Sequence, residues 1–118
     1  MTENFKKEHC DVAVIGAGPS GLSAAITLKK SKIQGVVVLE REAEAGGIPR
    51  HCGHPPFGIR EFQRVLTGPK YAKKLVETAQ NAGVIIALKT SVTMLNPEGG
   101  LNLTSPEGTK QLTAKRVL

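Results

Sequence analysis

Three unbroken apolar runs punctuate the first 90 residues. Val12-Ala13-Val14-Ile15 follows Asp11 and stops at a glycine; Val36-Val37-Val38-Leu39 stops at Glu40; Val84-Ile85-Ile86-Ala87-Leu88 follows Gly83. Runs this short, bounded by turn formers and rich in β-branched residues, predict strands of a parallel sheet buried on both faces. Between the first two the period changes to that of a helix. Leu22, Ala25, Ile26 and Lys29 fall on one side of a helix predicted from Pro19 to about Lys30. A second helical pattern, Tyr71, Leu75, Val76 and Ala79, predicts a helix from about Lys70 to Ala82, with Gly83 as a left-handed cap. Residues 41–67 form a long Gly/Pro-rich excursion in which residues 58–66 have the pattern of a short helical turn.

Beyond residue 90 the pattern shortens again. Val92-Thr93-Met94-Leu95, Leu101-Asn102-Leu103-Thr104 and Gln111-Leu112-Thr113-Ala114 are strand-like, and they are separated by two turns that each contain Pro-Glu-Gly. Proline sets the turn's first φ and glycine closes it, so residues 90–118 read as a three-stranded antiparallel meander. The expected fold is α/β: a Rossmann-like βαβ unit with a small parallel sheet, followed by that meander.

The junction of the first strand and helix carries the chemistry. Gly16-Ala17-Gly18-Pro19-Ser20-Gly21 has the GxGxxG spacing, an apolar strand before it and a helical pattern after it. In such a turn Gly16 permits the tight bend, Gly18 lets a pyrophosphate approach the backbone, and Gly21 lets the helix lie close on the sheet. Pro19 fits the first helical position because the N–H it lacks would have no partner there. The helix N-terminus presents unpaired N–H groups and a partial positive charge to phosphates. Glu40, nineteen residues after Gly21, ends the second strand, where its carboxylate can accept from ribose hydroxyls.

After Glu40-Arg41 comes the doublet Gly46-Gly47, a stretch of backbone with no Cβ to hold an anion away. Together, Gly16, Gly18, Gly21, Glu40, Gly46 and Gly47 resemble the amino-terminal portion of the two-dinucleotide-binding flavoproteins, the family that includes the pyridine nucleotide-disulfide oxidoreductases. That resemblance implies FAD as cofactor, with the doublet near its pyrophosphate. The segment Ile48-Pro49-Arg50-His51-Cys52-Gly53-His54-Pro55-Pro56-Phe57-Gly58 is similar to one in flavoprotein subunits of amine, opine or proline dehydrogenase type, which implies an amine or amino-acid-like donor for the intact protein. The candidate cofactor set is Gly16, Ala17, Gly18, Pro19, Ser20, Gly21, Glu40, Arg41, Gly46, Gly47 and Val92. No catalytic residue is assigned, because the resemblance places such residues in regions beyond Leu118. An NAD(P)-binding βαβ domain and a non-enzymatic nucleotide-binding or assembly module are the alternatives.

Composition narrows the classes. A chain of 118 residues with 40% apolar and 22% charged residues supports one domain and a modest core. No run approaches a membrane span, and the polar start Met1–Glu8 lacks an apolar export segment, so a cytoplasmic location is expected. The net charge of +6 suits a diphosphate ligand or an acidic partner surface; dispersed lysines and four aromatics argue against nucleic acid. Cys10 and Cys52 have no CxxC spacing, which gives no support to a dithiol mechanism. His51, Cys52 and His54 are potential metal ligands, but neighbours this close in sequence rarely converge on one tetrahedron, and a packed loop is the preferred reading.

Residues 1–10 read as a flexible tail and the whole as a partial, truncated FAD-binding domain, since the resemblance implies a further cofactor-contacting segment, a second nucleotide domain and a substrate region after Leu118. One consequence concerns the first strand. With that continuation missing, Val12–Ile15 would have a neighbour on one side only. An apolar, uncharged edge is a template for another chain, so a homo-oligomer, or a missing remainder or partner subunit, is expected.

Overall fold

The computed structural model describes residues 7–51, 53, 58, 62 and 66–118. Strand β1 (Lys7–Ile15) leads into helix α1 (Pro19–Lys30) and strand β2 (Val36–Leu39). A 3₁₀ turn (Ile48–His51) and helix α2 (Gly68–Asn81) precede strand β3 (Ile85–Ala87). The meander is β4 (Ser91–Leu95), β5 (Gly100–Ser105) and β6 (Gly108–Val117). All six strands form one sheet in the order β3-β2-β1-β6-β5-β4. β1 is parallel to both β2 and β6, β2 is parallel to β3, and the two meander pairings are antiparallel.

Alternation along β1 and β2 divides the core in two, because successive side chains of a strand point to opposite faces. Val12, Val14, Val36 and Val38 face the helices and pack with Leu22, Ala25, Ile26, Tyr71, Leu75 and Ala79. Ala13 and Leu39 face the other way and pack with Leu101, Leu103, Leu112 and Ala114 of the meander. Both faces of β1 and β2 are therefore covered, as their unbroken apolar runs require. Burying a side chain such as Leu22 contributes about 1.5–3 kcal/mol.

The helices and the meander lie where their patterns place them. α1 spans Pro19–Lys30 with Leu22, Ala25 and Ile26 buried, while the Lys29 ammonium instead reaches the Gln34 carbonyl at 2.8 Å. α2 begins two residues earlier than expected, at Gly68, because Pro69 occupies its first turn. In the first meander turn the Asn96 side-chain oxygen accepts from the Glu98 and Gly100 N–H groups at 3.0 and 2.9 Å.

Three expectations are corrected. Residues 7–10 are not tail but the start of β1, paired from Lys7↔Gln111 onward with β6. β3 is apolar yet not buried: it is the outermost strand, paired only with β2, and Ile85 is 61% exposed. β1 is not an open edge. β6 runs ten residues, longer than its hairpin partner needs, and its far end pairs in parallel with β1. Leu118 N–H donates to Ala13 at 2.9 Å and Leu118 carbonyl accepts from Ile15 at 2.8 Å. The backbone groups that would have templated another chain are satisfied within this one. Among the described residues no helix is long and apolar enough to cross a membrane.

Asp11 ties this seam to the βαβ crossover. Its carboxylate accepts from the Gly35 N–H at 2.8 Å and lies 3.2 Å from the Lys115 ammonium on β6. The Gly35 hydrogen bond first, and Lys115 second, hold its pKa below the ordinary value. A depressed carboxyl contributes stability above its unfolded pKa and loses that contribution as pH falls through the lower folded value. We therefore expect stability to decline on acidification below about pH 4, with a shallower decline in Asp11→Asn, read from urea midpoints across the acid range.

Candidate functional site

The GxGxxG turn opens at the carboxyl end of β1, in the centre of the parallel strands. Gly16 N–H donates to the Leu39 carbonyl at 2.8 Å, which stitches the turn to the end of β2. Gly18 is the N-cap of α1, in extended conformation, and supplies no side-chain cap; Pro19 follows, and no acidic residue occupies the first turn. The helix start thus offers N–H groups and partial positive charge without a competing side chain. In front of Gly16 and Gly18 the space is open: a Cβ at either would meet nothing within 4 Å. Ser20 is exposed on the first turn, and Ala17 is fully buried behind it.

Gly21 has the opposite surroundings. A Cβ there would collide with the Gly16 carbonyl oxygen and lie 3.2 Å from Val14 Cγ1. The helix start is held against the strand by the absence of that atom.

The Gly46–Gly47 doublet folds back onto this turn. Gly46 N–H donates to the Ala17 carbonyl at 2.7 Å, and a Cβ on Gly47 would lie 2.8 Å from Gly18 Cα and 3.2 Å from Pro19 Cδ. Gly47 has φ of +70°, a backbone conformation that favours glycine. Two glycine segments, separated by the 24 residues 22–45, meet at the α1 N-terminus.

Glu40 is buried and already engaged. One carboxylate oxygen accepts from Ala17 N–H at 2.8 Å, the other from Glu42 N–H at 2.9 Å. It clamps the turn to the end of β2, a structural duty not evident from its spacing; each oxygen retains a second lone pair for a ligand. Arg41 beside it is exposed and only loosely paired with Glu42, at 3.6 Å. Val92 lies on β4 and packs against the meander-side core that contains Leu39. The structure therefore brings Gly16–Gly21, Gly46, Gly47 and Glu40 into direct contact, with Arg41 at the rim and Val92 across the sheet face.

Glu40→Gln separates the clamp from any ligand. An amide can offer only one acceptor oxygen, so one of the two charge-assisted bonds is lost, at about 1.5–3 kcal/mol. A lower urea midpoint is expected with no cofactor present; an unchanged midpoint would exclude the clamp.

Cys10 is a free, partly buried thiol whose pKa is raised by burial and, secondarily, by Asp11. A thiol held protonated is a poor nucleophile. Among the described residues no three His, Cys, Asp or Glu side chains gather to hold a metal. His51 is exposed at the end of the 3₁₀ turn, and Cys52 and His54 lie outside the described residues.

The residues fit a dinucleotide pyrophosphate: an uncapped helix N-terminus, open space before Gly16 and Gly18, and a second glycine pair packed alongside. Residues 1–55 match the Thi4 family. The soluble pyridine nucleotide transhydrogenase of Photobacterium profundum is 45% identical over 56 residues, covering 48% of this chain and 12% of that protein. The thioredoxin reductase of Ureaplasma parvum is 32% identical over 83 residues, covering 70% of this chain and 25% of that protein.

These similarities indicate an amino-terminal FAD-binding domain of the kind found in flavoprotein oxidoreductases.

Its fold agrees with that similarity. The crystal structure of L-proline dehydrogenase from P. horikoshii superposes with a TM-score of 0.76 at 23% identity, over 96% of this chain and 22% of that one. A likeness at that identity is one of fold. The chain spans 9–25% of the length of the curated relatives it matches.

Sequence reasoning missed one residue here. Arg50 follows the doublet in the 3₁₀ turn, and its buried Nε–H has no acceptor among the described residues. Its position within a Gly/Pro-rich excursion, read as loop, gave no signal of burial.

Proposed function

We propose that this chain holds the ADP half of FAD through Gly16–Gly21, Gly46 and Gly47 on the pyrophosphate, with Glu40 and Arg41 at the ribose and Val92 beside the adenine. The observation that carries this reading is the contact of Gly47 with Gly18 and Pro19, which places two Cβ-free backbone segments around one helix N-terminus. FAD, when bound, supplies the redox chemistry. The chain's own residues bind and orient it: the α1 N–H groups neutralise phosphate charge, and Glu40 fixes the turn that presents them. Gly16 and Gly18 leave the approach clear.

In the intact protein we assign an oxidoreductase activity on an amine or amino-acid-like donor, on the strength of the resemblance carried by residues 48–58, and a cytoplasmic location. The partners implied are a small-molecule substrate and the remainder of a longer polypeptide or a second subunit. Self-association through β1 loses its basis, because β6 covers that strand; a homo-oligomer would use the outer edges, β3 or β4.

The test is titration of the purified 118-residue chain with FAD, followed by flavin fluorescence and visible absorption. Weak, saturable binding without turnover is expected, since the site here faces only part of a dinucleotide. Substrate-dependent dye reduction by this chain alone would contradict the division of labour, and absence of any flavin binding at millimolar concentration would contradict the site.

A further inference from the structure

The glycine doublet has two sides. Gly47 rests on Gly18 and Pro19, whereas Gly46 faces away from the cofactor turn, toward Ala72 and the aliphatic stem of Arg50. Behind it opens a separate cavity of about 540 Å³, bounded by residues 43–45, α2 and the end of β3. Ala45, Ala72, Val76, Ile86 and Leu88 give it an apolar floor; Arg50 and Lys73 contribute cations, with Glu44 and Glu77 on the same lining.

Arg50 decides what the cavity suits. Its side chain is only 19% exposed, its Nε–H is buried with no acceptor among the described residues, and its Nη1 lies 3.5 Å from a Glu44 oxygen on a side chain that is 75% exposed. A guanidinium donor taken from water and left unpaired is costly, and the cost is removed only by an acceptor that reaches it. The Nε–H and the adjacent Nη–H form a fork that the two oxygens of a carboxylate match. The acidic groups Glu44 and Glu77 disfavour a multiply charged anion such as phosphate. The apolar floor, in a volume typical of small-molecule sites, favours a hydrocarbon body.

We propose that this cavity binds a small carboxylate with an apolar body: the carboxylate on Arg50, assisted by Lys73, and the hydrocarbon against Val76, Ile86 and Leu88. The site is distinct from the dinucleotide turn, from which the doublet separates it.

Calorimetric titration of the chain with isocaproate, with isoamylamine and with inorganic phosphate tests the assignment. Isocaproate is expected to bind with a Kd on the order of 1 mM, and the amine and phosphate at least about tenfold more weakly. Arg50→Gln should weaken isocaproate binding by about tenfold or more. Lys73→Glu, on the exposed side of α2 and away from Gly46, should weaken it severalfold with an unchanged circular dichroism spectrum, and it decides the matter if Arg50→Gln fails to fold. No saturable heat with isocaproate, equal binding of the amine or of phosphate, or full affinity in Lys73→Glu together with a folded Arg50→Gln would overturn the proposal. FAD binding, read by flavin fluorescence, stands or falls separately.

Discussion

Gly18→Val is expected to leave the chain folded and to abolish FAD binding. Gly18 has φ of −80° and ψ of −177°, an extended conformation open to any L-residue and well suited to a β-branched one. A Cβ at this position meets nothing within 4 Å, so the free protein has room for the side chain. That room is where the pyrophosphate must come to reach the N–H groups of α1. The valine would fill it and hold the phosphates out of hydrogen-bond range. We expect FAD affinity to fall by roughly a hundredfold or more, a loss of about 3 kcal/mol, with an unchanged thermal unfolding curve. Normal FAD affinity in a folded Gly18→Val chain would make the turn a structural element only.

Gly21→Val fails for the opposite reason. Its Cβ would collide with the Gly16 carbonyl oxygen and approach the Gly16 carbonyl carbon and Val14 Cγ1 to 3.2 Å each. Neither neighbour can yield cheaply: Gly16 is hydrogen-bonded to Leu39, and Val14 is 2% exposed in the middle of β1. α1 would have to lift from the sheet and uncover Leu22, Ala25 and Ile26. Overpacking of this kind costs about 1–3 kcal/mol even when side chains alone adjust. Against a backbone oxygen we expect about 3 kcal/mol or more, a large share of the 5–15 kcal/mol that typically stabilises a domain. The urea midpoint of Gly21→Val should therefore fall well below that of Gly18→Val, and coincident midpoints would show that α1 does not depend on its close approach to β1. Three residues apart in one turn, Gly21 is set by helix packing, while the open space at Gly18 is the room proposed for the ligand.

The same contrast marks what the sequence by itself determined and what only the tertiary structure decided. Helix α1, the meander turns, the bend at Gly16 and the close packing at Gly21 follow from side-chain period and local sterics, and these are properties of neighbouring residues. The doublet's association with the turn was accessible through resemblance, because glycine's lack of a Cβ advertises a close approach even when it does not say to what. The neighbour of β1 was not accessible. Backbone N–H and C=O groups are identical in every strand, so nothing in Val12–Ile15 names β6, and only the length and direction of β6 after its hairpin bring Gln111–Val117 beside Lys7–Ala13. Exposure of β3 was hidden for the same reason: Ile85-Ile86-Ala87 looks apolar enough for a central strand, but rank in a sheet is set by which strands pair. Glu40 and Arg50 complete the pattern. A carboxylate at the end of a strand and an arginine in a loop are ordinary in sequence. Their roles arise from the polar atoms that folding brings to them, two backbone N–H groups for Glu40 and, among the described residues, no acceptor for the Arg50 Nε–H. Hydrogen bonding is satisfied or denied in three dimensions, and a linear order of residues does not contain it.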